Sequence, residues 1–311
     1  MQYRRLGRTG LKVSTLCLGT NMFGGYMDQP AAVGVMDACR DQGINFVDTS
    51  DSYSRGASET MVGAGIKSAR SHWIVATKVY SAMGEGANDR GASRKHIMDG
   101  VEASLRRLGT DYIDLYQVHF WDAETPLEET LRTLDDLVRQ GKVRYIGCSN
   151  YSGWQLMKSL WTSDKNGFVR YESVQPAYNL LNRAIEAEVL PTCADQGVGV
   201  IPYQVLMGGM LTGKYNRGEA PPAGSRFAAR PQMLERMYTD RVASLTAKLG
   251  NAAKKYARTQ AELLLGWALA NPVITSVIVG CSKPEQVADN VKSVDKPLTA
   301  EEVEACDKAA G

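Results

Sequence analysis

Eight short apolar runs recur along the chain, and helical patterns fill most of the gaps between them. The runs are Leu16–Gly19, Ile44–Asp48, Trp73–Val79, Tyr112–His119, Val143–Ser149, Ser173–Tyr178, Val198–Tyr203 and Ser276–Gly280. Their lengths suit buried strands. Between them, Ala32, Val35, Met36 and Cys39 follow the i, i+3, i+4, i+7 spacing of one helix face, as do Ile97, Val101, Leu105 and Leu108, and Leu127, Leu131, Leu134 and Val138. Further helices are expected over Ile185–Ala194, Met233–Leu249, Thr259–Ala270 and Pro284–Val294. Thr125-Pro126-Leu127-Glu128 reads as an N-cap, a first-turn proline and a capping-box glutamate, and Ser152–Gln155 and Thr299–Glu302 have a similar form.

Alternating strands and helices over 311 residues predict an α/β fold, a (β/α)8 TIM barrel forming one domain over residues 1–311. A β-hairpin around Gly7-Arg8-Thr9-Gly10 precedes it, and extra C-terminal helices follow. An open doubly wound sheet would want G-x-G-x-x-G after its first strand, but Leu18-Gly19-Thr20-Asn21-Met22-Phe23-Gly24-Gly25 has the wrong glycine spacing.

A net charge of +2 without a basic stripe argues against nucleic acid as a partner. No apolar run approaches the ~20 residues of a membrane span, and Met1–Leu6 lacks a secretory core, so a cytoplasmic location is expected. The six cysteines form no C-x-x-C, and Cys17, Cys148 and Cys281 sit in apolar runs as small core residues. Three scattered histidines do not suggest zinc, and no metal is expected.

In a barrel of this kind chemistry gathers where strands end. Asp48 closes the second run, on the face of Ile44 and Phe46; Lys78 shares a face with Ile74 and Ala76; His119 shares one with Ile113, Leu115 and Gln117. Tyr53 follows five residues after Asp48. A phenol has a pKa near ~10, which a neighbouring lysine cation lowers, while a carboxylate keeps a buried lysine charged. Asp48, Tyr53, Lys78 and His119 together suit proton donation to a carbonyl whose carbon accepts hydride. The long segment Gln204–Arg230, rich in glycine and carrying Lys214, Arg217, Arg226 and Arg230, suits an anionic ligand.

These residues fall in motifs that resemble the aldo-keto reductase superfamily. They are Gly43–Tyr53, Ala76-Thr77-Lys78, Asp114–His119, Gly147-Cys148-Ser149-Asn150, Val174–Asn179, Leu211-Thr212-Gly213-Lys214 and Val279–Asn290. The resemblance implies NADPH/NADP+ bound without a Rossmann domain, with NADH possible, and a small-molecule aldehyde or ketone as substrate. It makes Tyr53 the general acid, tuned by Lys78 and Asp48, with His119 orienting the carbonyl. Ser149, Asn150 and Gln175 would hold the nicotinamide carboxamide and Tyr203 would stack on its ring. Gly19, Thr20, Asn21, Asp48, Gln204, Leu206, Gly208 and Gly280 would line the cofactor, Lys214 and Arg226 would face its phosphates, and Ser282, Lys283, Gln286 and Asn290 would surround its adenosine and 2′-phosphate.

Two departures bear on cofactor grip. Gln204 stands where similar proteins carry a small serine, and Gln286 where many carry an arginine, which leaves Lys283 as the expected cation. The resemblance also extends to an alternative, an NADP(H)-sensing, channel-associated β subunit with little turnover. A Schiff-base role for Lys78 is disfavoured by the cofactor motifs. A monomer or small homo-oligomer is expected.

Overall fold

In the computed structural model, which describes residues 1–228 and 230–311, an antiparallel hairpin of β1 (Tyr3–Arg5) and β2 (Lys12–Ser14) precedes one eight-stranded parallel sheet. The sheet runs β3 (Leu16–Gly19), β4 (Phe46–Asp48), β5 (Ile74–Val79), β6 (Ile113–Val118), β7 (Val143–Ser149), β8 (Tyr171–Gln175) and β9 (Gly199–Val200), with β10 (Val277–Val279) beside β3. Apart from β10 beside β3, neighbours in space are neighbours in sequence, and from β3 to β9 the order never reverses as it does in a doubly wound sheet. The sheet curls toward a barrel: Val200 bridges Ile274 in parallel, and the Ile278 N–H donates to Pro202 O at 2.9 Å.

Strand alternation sorts the side chains into two layers. Leu18, Val47, Val75, Val79, Tyr116 and Val118 face outward and pack against the helices. Cys17, Phe46, Ile74, Ala76, Leu115 and Ile201 form a smaller inner cluster, with Leu6 and Val13 of the hairpin region packed against it. Two residues beyond Phe46, Ala76 and Leu115 on their strands come Asp48, Lys78 and Gln117, so the inner face turns from apolar to polar toward the strand C-termini.

The covering helices are α1 (Gln29–Asp41), α2 (Ala57–Ile66), α3 (Arg94–Leu108), α4 (Leu127–Arg139), α5 (Gly153–Asn166), α6 (Val189–Gln196), α7 (Pro231–Met237), α8 (Asp240–Lys255), α9 (Gln260–Ala270), α10 (Pro284–Asp295) and α11 (Ala300–Ala310). Their buried faces match the apolar spacing, as Ala32, Val35, Met36 and Cys39 of α1 illustrate. At α11 both halves of the capping box form: Thr299 N–H to Glu302 Oε2 at 2.7 Å, and Glu302 N–H to Thr299 Oγ1 at 3.3 Å.

Several sequence expectations need correcting. The helix over Ile185–Ala194 is instead a 3-10 turn, Ala184–Glu186, followed by α6. Pro191 lacks an N–H and is accommodated in a first turn, where none is required, rather than in a helix interior. Met233–Leu249 divides into α7 and α8, because Thr239 caps a new helix by accepting from Val242 N–H at 3.4 Å. Thr125 does not cap α4: its hydroxyl donates to Asp122 Oδ2 at 2.8 Å, and Pro126 occupies the cap position. The sixth and seventh strands are shorter than expected, and Pro176, which cannot donate to a ladder, follows directly on β8. The Gln204–Arg230 segment holds a 3-10 turn, Met207–Thr212; Ala229 within it lies outside the described residues.

Candidate active site

A cavity of about 400 Å3 opens at the C-terminal ends of the sheet strands. Beneath it, Lys78 is fully buried and uses all three ammonium protons: to Asp48 Oδ2 at 2.6 Å, Thr49 O at 2.8 Å and the Tyr53 phenol oxygen at 3.3 Å. The other oxygen of Asp48 accepts from Gln117 Nε2 at 3.2 Å and Gln175 Nε2 at 2.8 Å. The carboxylate is therefore held from three strands besides its own. Gly147 makes room for this arrangement, since a Cβ there would lie 2.5 Å from Ser173 Oγ and 3.3 Å from Gln117 Cγ.

The charges follow from these contacts. Burial pulls the Lys78 pKa down, but Asp48 and Tyr53 more than offset it, so the ammonium is held above its ordinary value. For Tyr53 the expected lowering is outweighed. Burial raises the phenol pKa more than Lys78 lowers it, so the group stays protonated at neutral pH. Burial, and then the charge of Lys78, pull His119 down to about 3, which keeps its imidazole neutral.

Loop anchoring sets where Tyr53 sits. Thr49 N–H donates to Ala76 O at 2.9 Å and Asp51 N–H to Lys78 O at 3.4 Å, so the loop after β4 is stitched to β5. His119 is fixed through its N–H to Val79 O at 2.9 Å, by Asn150 Nδ2 donating to its carbonyl at 3.1 Å, and by stacking on Phe120 at 4.7 Å between centroids.

Asp48, Tyr53 and His119 line the cavity with Ser149, Asn150, Gln175 and Tyr203. Asn150 Nδ2 also donates to Ser149 Oγ at 3.1 Å, Ser149 Oγ donates to Gln175 O at 2.8 Å, and Tyr203 Oη donates to Asn150 Oδ1 at 2.8 Å. Gly19, Thr20, Asn21, Gln204, Leu206, Gly208 and Gly280 line it as well. Gln204 adopts φ +63°, a left-handed conformation uncommon for a side chain of its size, in the turn that opens the long loop.

At the far end Lys214, Arg226, Ser282, Gln286 and Asn290 complete the lining. Among the described residues, Lys214 and Arg226 form no ion pair with a carboxylate. A closed polar wall at one end and two unneutralised cations at the other fit a long anionic dinucleotide. Lys283 is exposed at the start of α10 and does not line the cavity, whereas Asp289 does. Ser282 does not cap α10; Lys283 holds that position, and Gln286 Oε1 accepts from Ser282 N–H at 2.7 Å and Ser282 Oγ at 3.2 Å.

Gln117 was not singled out as a site residue by the sequence. Its signal was present: a polar side chain two residues before His119, on the same strand face as Leu115. Asp289 gave no comparable signal, since a charge on an exposed helix is usually solvated. Among the described residues, no cluster of three His, Cys, Asp or Glu side chains is placed to hold a metal.

The class is thus a parallel α/β sheet protein with a polar, lysine-centred site at its strand ends. A model of the aldo/keto reductase family matches residues 15–310. An uncharacterized oxidoreductase, YrpG, of Bacillus subtilis is 40% identical over 314 residues, covering 97% of this chain and 93% of that protein. A probable voltage-gated potassium channel subunit beta of Arabidopsis thaliana is 38% identical, with 95% and 92% covered. Versiconal hemiacetal acetate reductase of Aspergillus parasiticus is 33% identical, with 98% and 95% covered. The chain belongs to the aldo/keto reductase family. Membership supports NADPH-dependent carbonyl reduction in general terms, and no described helix is long and apolar enough to cross a membrane.

Proposed function

We propose that this protein reduces an aldehyde or ketone to an alcohol with NADPH, acting as a single (β/α)8 barrel domain over residues 1–311. When bound, the nicotinamide would supply hydride for the carbonyl carbon. Tyr53 gives its phenolic proton to the carbonyl oxygen, and His119 donates a hydrogen bond to the same oxygen through Nε2. Lys78, itself held by Asp48, stabilises the phenolate that Tyr53 becomes.

The observation that carries this reading is the Lys78 contact with Tyr53. The ammonium donates to the phenol oxygen at 3.3 Å, so the phenol's own proton is free to point elsewhere. In the reduction the O–H bond of Tyr53 breaks and the negative charge forms beside a fully buried cation. A Schiff-base role for Lys78 is not supported, because a buried, protonated ammonium with three hydrogen bonds is a poor nucleophile.

Ser149, Asn150 and Gln175 would hold the carboxamide, Tyr203 the nicotinamide face, and Lys214 and Arg226 the pyrophosphate. NADPH is the proposed cofactor, and NADH is accommodated too, since Gln286 fills the Ser282 N–H and Asp289 adds negative charge near the same end. Met22 and Phe120 on the cavity wall, with Tyr80 packed 5.6 Å from Phe120, favour an apolar or aromatic carbonyl compound.

Tyr53→Phe should lose roughly 10²- to 10⁴-fold in kcat for carbonyl reduction while binding NADPH with unchanged affinity. Unchanged turnover would sink the assignment. A second reading, a nucleotide-sensing channel subunit, is favoured by the identity to proteins named as channel β subunits. Stable association with a channel protein, together with negligible turnover across a broad panel of aldehydes, ketones and sugars, would support it instead. Cytoplasmic location and a monomeric or small homo-oligomeric state remain part of the proposal.

A further inference from the structure

Behind the site lies a second buried polar cluster that the reaction above does not use. Asp51 is almost fully buried, with Oδ1 accepting from Ser50 Oγ at 3.0 Å and Oδ2 without a partner among the described residues. Ser50 Oγ in turn lies 3.4 Å from His119 Nδ1 and 3.0 Å from Ser52 Oγ, and accepts from Ser52 N–H at 3.3 Å. One buried hydroxyl thus joins a carboxyl group to the inner nitrogen of His119. The outer nitrogen, Nε2, has no protein partner among the described residues, and the ring lines the cavity.

We propose that Asp51, acting through Ser50, is a positioning residue that decides which ring nitrogen of His119 carries the proton. The proposal rests on the reductase reading for its consequence but not for its chemistry. A serine hydroxyl has one proton and two acceptor sites. Ser52 N–H takes one of the latter, and the Ser52 hydroxyl, 3.0 Å away, turns its own proton away from Ser50 so that the other faces His119. With Asp51 ionised, Ser50 gives its proton to the carboxylate in a charge-assisted bond and can only accept from the imidazole. This favours the Nδ1–H form of His119, leaving a bare lone pair at Nε2 that cannot donate to a carbonyl oxygen. With Asp51 protonated, the carboxylic acid donates to Ser50 and Ser50 donates to Nδ1. The ring proton then sits on Nε2, the form that carbonyl reduction needs. The one proton taken from solvent arrives at Nε2 from the cavity, the Nδ1 proton passes to Ser50 and the Ser50 proton passes to Asp51, so every group's count balances.

The surroundings hold Asp51 near this balance. Glu59 of α2 approaches it, bonded to Thr77 Oγ1 of β5 at 2.6 Å and to Arg107 Nε of α3 at 2.6 Å. Tyr116 of β6 presents a buried hydroxyl without a partner among the described residues, Tyr53 shares the loop, and the Lys78 ammonium is committed to Asp48, Thr49 and Tyr53. Burial first, then Glu59, push the Asp51 carboxyl up to about 7, against the pull of Ser50, Ser52 N–H and Arg107. His119 stays neutral over this range, so its tautomer changes and its charge does not.

The test is 15N NMR of the full chain labelled at its three histidines, His72, His96 and His119, with His119 assigned by a His119→Gln variant. In the wild type, His119 should pass from mainly Nε2–H to mainly Nδ1–H with a midpoint near 7. Asp51→Asn should make the tautomer independent of pH, and Ser50→Ala, which leaves the carboxyl in place, should do the same. In parallel, wild-type kcat for reduction should fall toward tenfold per pH unit above that midpoint, and Asp51→Asn should lose that fall. A wild-type tautomer unchanged between roughly pH 5.5 and 8.5, or a switch that survives in Asp51→Asn, would overturn the proposal. The NMR readout needs no turnover, so it decides the role of Asp51 even where no carbonyl compound is reduced.

Discussion

Asp48→Asn keeps the shape of the buried carboxylate and removes its charge. One oxygen of Asp48 faces Lys78 at 2.6 Å and the other accepts from Gln117 and Gln175. An asparagine cannot serve both sides. If its oxygen faces the glutamines, its amide protons meet the ammonium; if reversed, they meet two glutamine NH2 groups. Breaking a buried pair from one side costs about 3–5 kcal/mol, and one donor-on-donor contact is unavoidable here, so the variant should lose stability in that range. Urea unfolding followed by far-ultraviolet circular dichroism measures it. The pH dependence is equally specific. In the wild type the folded-state pKa of Lys78 is raised, so its contribution is whole below the unfolded lysine value of about 10.4 and is lost as pH climbs through the folded one. In the variant burial acts without its counterion and lowers the folded value. The unfolded state then binds more protons at neutral pH, and stability rises with pH up to about 10.4. The two proteins should therefore differ most near neutrality and converge in alkali. A loss below about 1 kcal/mol at neutral pH, or a gap that widens with pH, would refute the account of Lys78 as a cation dependent on Asp48.

Gln286→Arg should raise the NADPH-over-NADH affinity ratio by about tenfold or more, because it frees the Ser282 N–H and adds a cation beside Asp289; fluorescence titration with each nucleotide checks it. Gly147→Ala should destabilise the protein by about 1–3 kcal/mol and weaken turnover, since its methyl group would sit 2.5 Å from Ser173 Oγ and 3.0 Å from Ser173 O; thermal unfolding and kcat measure the two effects.

The strands and the site were legible to different depths. Strand ends carrying Asp48, Lys78 and His119 could be read because a polar residue stands out at the end of an apolar alternation. The helix breaks near Glu188 and Thr239 were missed because apolar spacing continues across them. The signals that decide them are local, a proline without an N–H and a threonine hydroxyl free to cap. The raised pKa of Tyr53 was missed for another reason. A sequence shows which charges are near in the chain, but the desolvation that outweighs Lys78 depends on how much packed protein surrounds the phenol. The fold-back of Gln286 was hidden in the same way, since nothing in the order of residues says that its amide oxygen accepts from Ser282 N–H.

The loop after β4 explains how one short stretch can serve two buried charge clusters. Asp48 and Tyr53 meet the Lys78 ammonium on the inner side, while Asp51 meets Glu59 through space on the other. The loop can do both only because its backbone is tied to β5 at Thr49 and Asp51 and then turns through left-handed Ser54 and Arg55 into Gly56. Gly56 has φ +89°, and a Cβ there would strike Arg107 Cδ at 2.6 Å, on the side chain that reaches Glu59 at 2.6 Å. The turn that presents the phenol and the path of the arginine that balances Glu59 are thus one packing solution. Substitutions on α2 or α3 that displace Glu59 or Arg107 should therefore shift the turn that carries Tyr53 without touching the cavity.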